Sequence, residues 1–271
     1  MSGVHVTPVV LTFNEECNVA RTLASLRPFP RVVVVDSGST DGTERIARSF
    51  ANVSWFVRPF DGHVHQWRWA FAETGIDTPF VLALDADMSP TPELVSEIAS
   101  VTEAGEADAG LIPVEYRIRD VRLLGSLYPP ELRLLRRSAA SVRESGHTQK
   151  FATEGRVLPL RSRLVHDDRK PLEAFVRAQV GYSEKESKRL LADGTEDVRL
   201  RTRLRRSSGW TPLLVWCLAW ARAGGPFRGA AARRYALERL IYEAMLRWRM
   251  EDAALTARSG ADGKGDDEAG A

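Results

Sequence analysis

Phe80-Val81-Leu82-Ala83-Leu84-Asp85-Ala86-Asp87 decides the fold: five apolar residues run into two carboxylates placed one residue apart. A continuous apolar run of this length suits a strand covered on both faces, as in a parallel sheet. Successive strand side chains face opposite ways, but past a strand end the chain can turn, so Asp85 and Asp87 can converge on one hard cation. Such a cation points to a phosphorylated donor, with one Asp on the metal and the other working through water or a sugar hydroxyl. The same residues also suit a plainer role, in which Asp87 opens the turn into Ser89-Pro90-Thr91-Pro92 and Asp85 is a local cap.

Upstream, strands and helices alternate. Val6 to Thr12 is a β-rich run, and Asn14 is a candidate N-cap for a helix through Val19, Leu23 and Leu26, with Glu15 and Glu16 suiting its dipole. Val32 to Val35 is a second strand ending at Asp36. Turn residues Ser37 to Thr43 follow, with Asp41 and Glu44 resembling a capping pair for a helix from Glu44 to Phe50. Val53 to Val57, a Trp- and Phe-rich helix from Gln66 to Thr74, and Phe80 to Leu84 complete the rhythm. The fold class is therefore α/β: an open, mostly parallel sheet flanked by helices, with a Rossmann-like nucleotide half.

Ligands of such sheets bind beyond the carboxyl ends of the strands, where Asn14, Asp36, Asp85 and Asp87 all fall. There is no Gly-rich dinucleotide fingerprint after the first strand and no Walker lysine. A nucleotide can instead be read by carboxylates: Asp36 accepting from a base N–H, Thr12 to Glu15 meeting a ribose hydroxyl, and a metal on Asp85 and Asp87 screening the diphosphate. Asp36 also suits a purely local turn role.

The chain has 271 residues, room for one large domain and an appendage, and a net charge of +2 that predicts no nucleic-acid partner. Charge is uneven, since from Arg199 to Arg249 twelve arginines face only Glu238 and Glu243. Cys17 and Cys217 make no metal-ligand spacing and suit a reduced compartment. Met1 to His5 shows no basic or apolar leader pattern, which predicts a cytoplasmic chain.

Leu11-Thr12-Phe13-Asn14-Glu15-Glu16, Val34-Val35-Asp36-Ser37-Gly38-Ser39-Thr40-Asp41-Gly42-Thr43 and Leu84-Asp85-Ala86-Asp87, in that order, resemble the signatures of family 2 glycosyltransferases of the GT-A fold. The resemblance covers about the first hundred residues. The chain is similar, more loosely, to the bacterial branch containing lipopolysaccharide-core β-1,4-glucosyltransferases. That similarity rests on Phe60-Asp61-Gly62, on Tyr128-Pro129-Pro130 with Leu132 to Arg137, and on His166-Asp167-Asp168-Arg169-Lys170-Pro171-Leu172.

The resemblance implies that Thr12, Asn14, Glu15, Asp36 and Ser37 bind the nucleoside, usually uridine. Asp85 and Asp87 would hold ribose, sugar and Mg2+ or Mn2+ as a DXD motif, with Asp61 adding donor contacts. His166 is implied as a third metal ligand and Arg169 and Lys170 as diphosphate partners, against a plain surface turn. The branch commonly carries an acid after the second Asp, where this chain has Met88. Inversion at the anomeric carbon is expected, with a base that deprotonates the acceptor hydroxyl. Related sequences place Glu directly after a His where this chain has His147-Thr148, so the candidate catalytic residues are His147, Glu144 and Glu131.

The expected organisation is a GT-A domain over 1–182, divided into a nucleotide-sugar half (1–100) and an acceptor half (101–182). A basic amphipathic helical region follows over 183–255, with a disordered tail over 256–271. Within the helical region, Trp210 to Ala221 is too short to span a bilayer, which needs about 20 residues. Its three tryptophans beside arginines suit an anionic membrane surface, a packed helix or a dimer contact. The expected partners are a nucleotide-sugar donor, UDP-linked by preference, and a glycan or lipid-linked acceptor, met in the cytoplasm or at the inner face of the membrane. Two alternatives stand beside this reading: transfer to a polyprenyl phosphate, which needs no base, and a non-catalytic nucleotide-sugar-binding module.

Overall fold

The computed structural model describes residues 5–145, 148–192, 204–205 and 208–265, with the backbone alone for 144, 145, 148 and 258–265. It divides into two compact units, Met1–Lys170 and Pro171–Ala271.

In the first unit, β1 (Val6–Thr12), β2 (Val32–Asp36), β3 (Val53–Val57) and β4 (Phe80–Asp85) pair in parallel in the order β4-β1-β2-β3. Crossovers carry α1 (Val19–Ser25), α2 (Thr43–Ala47) and α3 (His63–Glu73). Three more strands, β6 (Ala109–Ile112), β9 (Glu131–Arg136) and β12 (Val157–Pro159), extend this sheet beyond β4, and β9 runs against its neighbours β4 and β6. The mostly parallel sheet is thus as expected, with one reversed strand beside β4.

Period-two side-chain alternation builds a core on each face of the sheet. Val10, Val32, Val34, Leu82 and Leu84 enter one, against Leu23 of α1 and against Leu94 and Ile98 of α4 (Pro92–Ala104). Val9, Val33, Val35, Val81 and Ala83 enter the other, against Trp67 and Ala70 of α3 and against a hairpin of β10 (Ala140–Ser145) and β11 (Thr148–Thr153). Uninterrupted valine runs in β2 are therefore required by burial on both sides. Helix α4 is set at its start by Thr91, whose Oγ1 accepts from the Leu94 N–H at 3.2 Å, and stops at Gly105 with φ +67°.

A smaller sheet, ordered β5-β13-β7-β8, comprises β5 (Met88–Pro90), β7 (Val114–Ile118), β8 (Val121–Arg122) and β13 (Leu164–His166). It has no counterpart in the sequence reading.

The second unit holds α5 (Leu172–Ala192), α6 (Thr211–Ala223) and α7 (Gly229–Gly265), with a 3₁₀ turn at Gly225–Arg228. Between α5 and α7, Leu190 packs on Tyr242 and Leu246. Arg205 pairs with Glu243 and lies 3.5 Å from Glu186, so buried carboxylates of two helices share one guanidinium. Position 182, expected as a boundary, falls inside α5. The tail expected to be disordered from 256 continues α7 as far as Gly265, and 266–271 lie outside the described residues. Asp193 and Gly194, a turn-forming pair within the helical region expected over 183–255, also lie outside them.

Trp67 is fully buried, its ring centroid 5.2 Å from that of Phe151 and 5.6 Å from that of Phe71, and its Nε1 makes no hydrogen bond. Trp67→Ala should cost about 3–5 kcal/mol in urea denaturation. Trp67→Phe should cost markedly less, because it keeps an aromatic filler and removes a buried donor that has no acceptor.

Candidate active site

β4 ends at Asp85 and β5 begins at Met88, so Ala86 and Asp87 form the turn between them. Two bonds pin that turn: Thr22 Oγ1 donates to the Ala86 carbonyl at 2.6 Å, and the Asp167 N–H donates to the Asp87 carbonyl at 3.1 Å. Met88, which stands where an acid was expected from the resemblance, is buried in the core.

The small sheet carries His166 to this turn from far along the chain. β13 pairs with β5, His166 opposite Met88, and with β7, His166 opposite Tyr116. His166 Nε2 then lies 3.4 Å from Asp87 Oδ2, and its ring stacks on Tyr116 at 4.5 Å between centroids. Tyr128 stacks on Tyr116 in turn, at 5.3 Å. Asp87 Oδ1 and His166 Nδ1 are both buried without a hydrogen-bond partner. Burial raises the Asp87 carboxyl above the usual range, His166 opposes that shift, and Asp168 and Asp85 add to it.

Asp85 has a different environment. Arg133 of β9, itself buried, reaches Asp85 Oδ2 at 3.0 Å and Glu131 Oε2 at 2.6 Å. Enclosure works against the Asp85 charge, but Arg133, His166 and His63 outweigh it and hold the carboxyl below the usual range. Among the described residues no three His, Cys, Asp or Glu side chains group closely enough to hold a metal ion. Asp87 and His166 are the pair that the site can offer to one.

Asp36 organises the neighbouring loops. Its Oδ1 accepts from Thr12 Oγ1 (2.9 Å) and Ser39 Oγ (2.5 Å), and its Oδ2 from the N–H groups of Gly38 (2.8 Å) and Ser39 (2.7 Å). A carboxylate has about four acceptor positions, so these are filled. A base N–H would have to replace the Thr12 or Ser39 hydroxyl. Asn14 is not an N-cap: it sits at φ +53°, accepting at Oδ1 from the Thr40 N–H (2.8 Å) and donating its own N–H to Ser39 Oγ (2.8 Å). Ser37 Oγ accepts from Gln66 Nε2 at 3.3 Å. Asp61 makes a two-pronged pair with Arg58, both distances 2.7 Å, and this pair sits beside Gln66.

The segment after His166 closes onto the β1–α1 loop. Asn18 Nδ2 donates to Glu15 Oε2 (2.9 Å) and to Asp168 Oδ1 (2.8 Å), and its Oδ1 accepts from the Arg169 N–H (3.0 Å). Arg169 pairs with buried Asp167 and with Asp120, and Lys170 pairs with Glu15. Both cations expected to face a diphosphate are thus matched by protein carboxylates. Burial pushes the Glu15 carboxyl up to about 7 against the pull of Lys170, and the charges of Glu15, Asp168 and Asp87 keep Lys170 protonated.

Of the candidate bases, Glu131 is committed to Arg133 through its Oε2. Glu144 lies in β10 with its side chain outside the description, and His147 lies outside the described residues. Sequence reading missed Asn18, Arg133 and Tyr116. Arg133, a lone charge inside Leu132-Arg133-Leu134-Leu135, carried a local signal, whereas the other two acquire meaning only through contacts with distant segments.

The family model described as Glycosyl transferase family 2 matches residues 8–149. The chain is 29% identical over 140 residues to the lipopolysaccharide core biosynthesis glycosyltransferase LpsC of Rhizobium meliloti, covering 47% of this chain and 49% of that protein. It is 34% identical over 104 residues to an uncharacterized glycosyltransferase of Rickettsia typhi, covering 38% and 35%. The chain thus spans about half the length, or less, of the curated relatives it matches. Among solved structures, TarS 1-349 of S. aureus in complex with UDP-GlcNAc aligns over 93% of this chain and 92% of its own, at 16% identity and TM-score 0.48.

The Glu15–Lys170 pair is open to test. A carboxyl whose folded pKa is raised holds a proton that the unfolded chain has released, so its contribution to stability is full below the unfolded value and fades as pH rises toward 7. Lys170→Met removes the cation that keeps Glu15 soluble as a carboxylate. It should destabilise the protein at pH 8 by about 2–3 kcal/mol, less than for a fully buried pair because Lys170 keeps a quarter of its side chain in solvent. The penalty should shrink toward pH 5, and Glu15→Gln combined with Lys170→Met should recover most of it in urea titrations.

Proposed function

This chain belongs to glycosyl transferase family 2, and from that membership we propose a metal-dependent, inverting enzyme that moves a sugar from a UDP-linked donor to a lipid-linked or cell-envelope glycan. The observation that carries the proposal is the buried, unpartnered Oδ1 of Asp87, with His166 at 3.4 Å from its other oxygen, at the carboxyl end of β4. A buried carboxylate oxygen without a donor is costly unless a ligand completes it. Two protein ligands suit Mg2+ or Mn2+, which take their remaining coordination from water and substrate phosphates. When bound, the ion would supply positive charge to the departing diphosphate.

The chain's own residues take the other tasks. Asp85, kept ionised by Arg133, is the acceptor for a ribose or sugar hydroxyl. Asp36 shapes the nucleoside loop and exchanges one hydroxyl partner for the base. Tyr116 holds the His166 ring in place by stacking. The Rhizobium relative's name refers to lipopolysaccharide core biosynthesis, and an acceptor of that class is proposed here. One observation favours transfer to a polyprenyl phosphate instead: Glu131, the candidate base whose side chain is described, is bound to Arg133, and an ionised phosphate acceptor needs no base.

The test is a thermal-shift panel of UDP, GDP, dTDP and CMP, each with and without Mn2+. UDP should raise the melting temperature only with Mn2+, and Asp87→Ala should abolish that shift and lower turnover roughly 10²–10³-fold. A shift independent of metal would remove the ion from the site. No shift with any nucleotide would overturn the donor assignment.

A further inference from the structure

The face of α6 turned to solvent is its apolar one. Trp210, Leu213, Leu214, Cys217 and Leu218 follow the i, i+3, i+4, i+7, i+8 spacing of a single helical stripe, and all five are exposed, Trp210 at 71%. The opposite side is satisfied within the unit, where Thr211, Ala219 and Ala223 are buried. Phe227, in the 3₁₀ turn that follows, is 87% exposed. Of the three tryptophans expected to suit a membrane surface, Trp210 is on this face, whereas Trp216 and Trp220 are half-buried and stacked on each other, with ring centroids 6.3 Å apart.

Charge identifies what covers this stripe. From Leu204 to Leu237 the chain has no Asp or Glu. Arg222, Arg228 and Arg233 are exposed there and enter no ion pair among the described residues. A second copy seated on the stripe would set arginines against arginines. An anionic surface would pair with them while leucine and tryptophan side chains leave water. We infer that the Trp210–Leu218 face of α6, with Phe227 beside it, is a docking surface for an anionic lipid bilayer. It lies in the interfacial plane rather than spanning, since no helix among the described residues is long and apolar enough to cross a membrane.

The test is flotation of the full chain with vesicles of phosphatidylcholine alone or containing about one third phosphatidylglycerol. The chain should float with the anionic vesicles and not the neutral ones, less so as salt is raised. Leu214→Glu with Leu218→Glu should weaken flotation about tenfold or more while leaving helix content and the nucleotide-induced thermal shift unchanged. Vesicle binding and nucleotide binding therefore fail separately. Absence of wild-type flotation, or equal flotation of the double variant, would overturn the assignment. A dimer in light scattering that the double variant dissociates, without vesicle binding, would assign the face to a second copy.

Discussion

Carboxylates brought close together repel unless each is given a counter-charge or a donor, and this constraint governs the carboxyl edge of the large sheet. Glu15, Asp85, Asp87, Asp167 and Asp168 all sit there. Lys170 answers Glu15, Arg133 answers Asp85, Arg169 answers Asp167, and the Asn18 amide bridges Glu15 and Asp168. Asp87 differs from the rest. Its protein neighbour is a histidine, and one of its oxygens is left without a donor. Neutralisation is nearly complete and stops at the residue proposed to receive a cation.

Holding such a cluster requires a rigid base. The interior strands β1, β2 and β4 are covered on both faces by residues with almost no exposure, so their ends cannot drift without opening a core. Loops rooted on those ends are then tied to one another. Asp36 joins the β1 and β2 termini, Thr22 fixes the Asp87 turn, and Asp167 joins that turn to the Arg119–Asp120 backbone. The small sheet completes the edge, since β13 delivers both His166 and the segment carrying Asp167 to Lys170.

The second unit follows a different logic. Its α5–α7 interface is cemented by buried Glu186 and Glu243 around Arg205, and its basic character is thereby partly consumed internally. Arginines in the acid-free stretch around α6 remain exposed, next to an apolar stripe. Composition alone pointed to basic and aromatic helices, but it could not separate Trp210, which is exposed, from Trp216 and Trp220, which packing has turned partly inward.

The parallel core was legible in the chain because its signals are local: Val32 to Val35 and Phe80 to Leu84 are apolar throughout, and each ends on an Asp at the edge where ligands of such sheets bind. Asp85, Asp87 and Asp36 could therefore be named, and so could the family signatures they carry. Three of the four donors to Asp36 come from Gly38 and Ser39, two and three residues further on, the local turn role its neighbours in sequence suggest; what could not be read is the fourth, the Thr12 hydroxyl at the end of β1. Nor could the distant partners of Arg169 and Lys170 be read: Arg169 pairs with Asp120 as well as with nearby Asp167, and Lys170 pairs with Glu15. By itself the sequence determined the four parallel strands β1 to β4, their alternation with helices and the acids at their edge, because burial periodicity is written in consecutive residues. Only the tertiary structure decided which of those acids keeps a buried oxygen without a donor, because that depends on counter-charges delivered from strands and loops dozens of residues away.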